Sequence, residues 1–131
     1  MMQPGSVTDP QNIIQNQRSY ELSMIETMCR GNQEKINKMI SVFIDQVPAS
    51  VDEIKSAYHK NDFTTIKNTA HRIKPSFAYY GIANIEKEIN QIETLAIKGI
   101  ASTEIENKII KLEQVVNQVV SEMKRDFLYN L

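Results

Sequence analysis

Cysteine is nearly absent from this chain of 131 residues: Cys29 stands alone. One thiol closes no intramolecular disulfide and builds no cysteine metal cage, so a reducing compartment is the expected setting. Helix breakers are scarce too. There are four glycines and four prolines, and Pro4, Gly5 and Pro10 all fall in the first ten residues. Charge of one sign is also missing. Fifteen basic and sixteen acidic side chains leave a net charge of −1, which gives no basic field for a nucleic acid. No segment approaches the ~18 consecutive apolar residues of a membrane helix. The N-terminus shows no basic-then-apolar export pattern. These absences point to a cytoplasmic protein that neither spans a membrane nor binds nucleic acid.

What is present is ordinary for a globular protein, with 41% hydrophobic and 24% charged residues. The length suits one domain with a real core. Residues 1–18 are polar and rich in breakers, so they read as a flexible arm, with a helical turn around Ile13 and Ile14. Residues 19–131 read as the domain. A short helix is expected over about 20–30, with Leu22, Ile25 and Cys29 inward, Gly31 past its end and Asn32 capping the next helix.

A second helix, about 33–60, carries Ile36, Ile40, Phe43, Val47, Val51, Ile54 and Tyr58 at spacings of three and four. The stripe keeps its phase across Pro48, which predicts a kink rather than a break. The third helix, about 62–80, places Phe63, Ile66, Ala70, Ile73, Phe77 and Tyr80 on its inner stripe and ends at Gly81. A fourth, about 83–98, buries Ile85, Ile89, Ile92 and Ala96 together with Ile82. A fifth begins at Thr103, which has capping-box spacing to Glu106, and buries residues from Ile105 to Phe127. Long helices with short connections pack as antiparallel neighbours. The expected fold is an all-α, up-down four-helix bundle with an additional short N-terminal helix.

His71 follows Ala70 by about 100° around the helix axis and so lies off the core stripe. A solitary helix histidine is usually only solvated. Here Lys74 supplies a cation one turn away, on a face expected to be solvated. Ala70, Ser76 and Ala78 are small, which would let a partner approach. Lys67, one turn before His71, could steer an acidic partner. Across the turn at Gly81-Ile82, His71 lies eleven residues before Ile82 and Glu93 eleven after it. A carboxylate accepting from Nδ1–H would fix the tautomer and leave Nε2 as the nucleophile. A register shift of one turn would instead leave Glu93 as a plain surface acid. His59 reads as solvated, and two histidines without cysteines give no metal-site spacing.

Ala70-His71-x-Ile73-Lys74, with Gly81 ten residues after the histidine, resembles the signature of histidine phosphotransfer (HPt) domains, Ala-His-x-Leu-Lys-Gly with a later Gly. The likeness runs from about Tyr20 to Phe127. It implies a four-helix bundle whose histidine carries a phosphoryl group between receiver-domain aspartates. On that resemblance His71 is the phosphoacceptor and Lys74 neutralises the phosphoryl charge. Glu93 matches an acid that orients the histidine in the related N-terminal domain of chemotaxis kinases. Pro75 stands where most members have Gly, and with Lys67 and Ala78 it would line the partner surface. In this position Pro75 removes the N–H that would bond the His71 carbonyl, and a bend there would splay His71 outward. Sensor-kinase dimerisation domains differ: their histidine is followed by an acid and, five residues on, by Pro, whereas Arg72 follows here and Pro75 comes four later.

The implied partners are response-regulator receiver domains and a hybrid histidine kinase. No cofactor or metal is expected in the chain itself, Mg²⁺ belonging to the receiver. A monomeric carrier without its own ATP site, and therefore no enzyme, is the expectation. The alternative is a helical scaffold module, a pseudo-HPt domain, whose His71 is inert.

Overall fold

The computed structural model describes residues 18–128, so most of the expected arm, including Ile13 and Ile14, lies outside the described residues. Among the described residues five α-helices follow one another: α1 Ser23–Met28, α2 Gln33–His59, α3 Phe63–Tyr79, α4 Glu86–Lys98 and α5 Thr103–Met123. The chain then continues as a π-helical turn, Lys124–Leu128. There is no strand among the described residues. Neighbours in sequence pack against each other from α2 to α5, and α5 closes back on α2. With short connections this makes the antiparallel four-helix bundle, and α1 lies beside α2.

The inner stripes meet in one core. Ile40, Phe43 and Ile54 of α2, Ile66 and Phe77 of α3, Ile89 and Ile92 of α4, and Leu112, Val116 and Val119 of α5 are all buried. Burial of side chains this large stabilises by about 1.5–3 kcal/mol each before chain entropy is subtracted. Both interior prolines are carried through: Pro48 lies inside α2 and Pro75 inside α3. The apolar stripes continue beyond each proline, so packing on the far side offsets the lost backbone bond.

The ends of the helices follow local chemistry. Asn32 accepts from the Lys35 N–H at the start of α2, and Asp62 from the Thr65 N–H at the start of α3. At α5 the cap is Ser102, one residue before the expected Thr103. Ser102 is extended and its Oγ accepts from the Ile105 N–H. The fourth helix starts at Glu86 rather than near Ala83. The chain first turns through left-handed Gly81 and Asn84, so Ile82 and Ile85 are buried from the connection. Beyond Met123 the wider turn leaves Phe127 only partly buried, 6.5 Å from the Tyr20 ring.

The segment before α1 crosses the end of the bundle as a strap. Ser19 donates from both N–H and Oγ to Glu122, at 2.8 and 2.7 Å. Tyr20 is buried, and its hydroxyl donates to Asp126 Oδ2 at 2.7 Å. Burial, seconded by the Asp126 carboxylate, pushes the Tyr20 phenol up to about 12. The Glu21 N–H then bonds the Tyr80 carbonyl at 2.9 Å. Gly81 makes that crossing possible: its φ is +59°, and a Cβ there would lie 2.6 Å from the Glu21 carbonyl oxygen.

Candidate functional site

Helix α3 carries His71 because the core stripe through Ala70 and Ile73 sets its rotation. Ala70 is fully buried, so it belongs to the core and not to the small-residue surface expected around the histidine. Ala78 and Pro75 are exposed, and Ser76 and Lys67 are half-buried. The His71 side chain is 72% exposed.

Helix α4 packs along α3 and brings Glu93 to it. His71 Nδ1 lies 3.0 Å from Glu93 Oε2. An ionised carboxylate only accepts, so this bond requires the proton on Nδ1 and leaves the Nε2 lone pair free. The other Glu93 oxygen, Oε1, pairs with Lys74 Nζ at 2.5 Å. Lys74 also donates to Asn90 Oδ1 at 3.0 Å. The lysine is therefore not on an open solvated face, because its side chain is 31% exposed and Glu93 only 16%. Burial pushes the Glu93 carboxyl up, but the Lys74 ammonium and the His71 imidazole together draw it below the usual carboxylate range. The carboxylate stays charged, and it holds an imidazole and an ammonium on its two oxygens.

Arg72, beside the histidine in sequence, turns the other way. Its guanidinium donates to Ser50 Oγ at 3.1 Å and to Glu53 Oε1 at 3.0 Å, tying α3 to α2. The rotation that exposes His71 is thus held from both sides.

The arrangement offers an exposed nucleophilic nitrogen, an oriented tautomer and an adjacent cation. It is a surface and not a pocket. A concavity of about 990 Å³ lies by the strap, lined by Ser19, Gly81 and Gln118 among others, and includes none of these site residues. Among the described residues no three His, Cys, Asp or Glu side chains converge as a metal site. No helix among them is long and apolar enough to cross a membrane. His59 packs edge-on to Tyr58, 5.8 Å between ring centres, at the far end of α2. The sequence reading missed Asn90. The available signal was its position one turn before Glu93 on α4, the same face of the helix.

The family model of the Hpt domain matches residues 38–124 of this chain. The chain belongs to the Hpt domain family, whose members act in two-component phosphorelays. The bundle is similar to a crystal structure of the HPT domain from the Hpt sensor hybrid histidine kinase from Shewanella. The TM-score is 0.69 and the identity 21%, over 87% of this chain and 97% of that one. At that identity the likeness bears on the fold. No curated protein matches the sequence.

Proposed function

We propose that the chain is a phosphorelay carrier, taking a phosphoryl group on His71 Nε2 from a receiver-domain aspartate and passing it to another. The observation that carries this reading is the geometry at His71: Nδ1 bound to Glu93 at 3.0 Å, with the side chain 72% exposed. In the forward step the Nε2 lone pair forms the N–P bond as the aspartyl O–P bond breaks. The aspartate leaves as a carboxylate, and the ring, still protonated on Nδ1, becomes an imidazolium. Glu93 faces that new positive charge, so its attraction strengthens as the bond forms, and Lys74 faces the phosphoryl oxygens. Transfer to the next receiver reverses the same steps.

Response-regulator receivers supply the acidic pocket and its Mg²⁺, and a hybrid histidine kinase is the source of phosphoryl groups. This chain works as a monomer in the cytoplasm and takes its phosphoryl group from a receiver rather than from a nucleotide, its 131 residues holding no Gly-rich phosphate-cradling segment. Incubation with a ³²P-labelled receiver domain tests the reading. Acid-labile label is expected on the wild type and none on His71→Gln, whose helical circular dichroism should be unchanged. Label retained by that variant, self-labelling from ATP, or an unlabelled wild type would each overturn the carrier reading, the last in favour of a scaffold with an inert histidine.

A further inference from the structure

Glu93 holds two partners, but Lys74 also holds two, and the second of these has no role in the reading above. An ammonium has three N–H donors. In this structure one is donated to Asn90 Oδ1 at 3.0 Å, while the ammonium pairs by charge with Glu93 Oε1, 2.5 Å away. Asn90 and Glu93 lie one turn apart on α4, so the two acceptors form a rigid pair along one helix face. The ion pair sets where the ammonium sits, and the directed bond to Asn90 sets how it is turned and so where its remaining N–H groups point. Without Asn90, the ammonium would be free to rotate and swing about its single contact on Glu93, since a lysine side chain has large rotamer freedom.

The chemistry of the amide matters as well. Phosphorylation of His71 adds negative charge beside Lys74, which already shares its charge with Glu93. A carboxylate at residue 90 would claim more of the ammonium's charge. A neutral carbonyl orients the ammonium and leaves that charge available to the phosphoryl oxygens.

We propose that Asn90 is a positioning residue for phosphoryl transfer, acting through Lys74 by holding its ammonium so that one N–H remains for the phosphoryl group on His71. The inference rests on His71 being the phosphoacceptor. Asn90 touches neither the imidazole nor the phosphoryl group.

Phosphoramidate serves as the probe. Nε2 attacks phosphorus, the P–N bond of the protonated donor breaks, and ammonia leaves with its own protons. The rate of phosphohistidine formation is followed by ³¹P NMR. Asn90→Ala should slow labelling about tenfold, the low end of what losing one hydrogen bond to a charged group costs. In a Lys74→Ala background the same substitution should change the rate by less than about 1.5-fold, because a residue acting through another has nothing left to act on. Asn90→Gln, which restores an amide acceptor on the same exposed face, should recover most of the rate. All variants should melt within about 2 °C of their parent, as surface changes do. Equal losses in both backgrounds would show that Asn90 acts independently of Lys74 and overturn the proposal, as would no loss in the wild-type background. In both cases His71 labelling persists and the carrier reading stands. If wild-type protein takes no label from phosphoramidate or from a receiver, that reading fails and the role of Asn90 falls with it.

Discussion

Two carboxylates, Glu93 and Glu122, are held by several donors each, but they hold different kinds of partner. Glu122 is 6% exposed and accepts hydrogen bonds from the neutral Ser19 N–H and hydroxyl and the Gln118 amide, with the Arg125 charge acting on it as well. The Ser19 donors fasten the strap to α5. Glu93 is partnered by two side chains with chemistry of their own, an imidazole with a free nitrogen and an ammonium with a spare donor. The same functional group thus ties down the strap at the end of the bundle and joins an imidazole and an ammonium on its flank. The difference lies in whether the partners have anything left to offer a third molecule.

The strap end should respond to mutation in stability, and the His71 flank in transfer. The largest effect is expected at Gly81. Gly81→Ala combines a left-handed backbone with a Cβ that meets the Glu21 backbone, which together should cost roughly 2–5 kcal/mol in urea unfolding. Labelling per folded molecule should be unchanged. A loss below ~0.5 kcal/mol would mean the strap is not seated over residue 81.

Glu122→Gln comes next, at about 1–3 kcal/mol, because two donors then face an amide N–H₂. Burial pushes the Glu122 carboxyl up, but the Ser19 and Gln118 donors bring it net below its ordinary value of 4.5. A lowered folded value stabilises fully above the unfolded value and loses that contribution as pH falls through the folded one. The gap between wild type and Glu122→Gln should therefore be widest at neutral pH and narrow below about pH 4.5. A gap that widens on acidification would contradict that tie to the strap.

The smallest effect in free energy is expected at Glu93. Glu93→Gln should slow labelling of His71 about tenfold, the loss of charge opposite the developing imidazolium. Its unfolding free energy should move by about 1 kcal/mol, less than at Glu122, because Glu93's partner His71 is mostly exposed and Lys74 is in part. A variant that unfolds easily but transfers normally would put Glu93 in the same class as Glu122.

The bundle was legible because its helices repeat apolar residues at three and four over long stretches. Ile36 to Ile54 and Ile105 to Val119 admit no other period. Boundaries were less legible where the chain turns through residues that tolerate a left-handed backbone. Asn84 delayed α4, and Ser102 and Thr103 are both acceptable caps that only packing could choose between. Of the candidate site, what was legible is that His71 and Lys74 share one helix face. Glu93 was left open between a site residue and a surface acid, because a crossing angle and not a spacing decides what α4 presents to α3.

Local sequence therefore determined the helices, their order and the off-stripe placement of His71, since these depend on periodicity and on chain lengths too short for anything but antiparallel neighbours. Only the tertiary structure decided the rest. The half-burial of Lys74 between Glu93 and Asn90, the turning of Arg72 to Glu53, and the strap from Ser19 to Glu122 all join residues distant in sequence. Such pairings depend on register between packed helices, where one turn exchanges every partner, and no single-helix pattern encodes that choice.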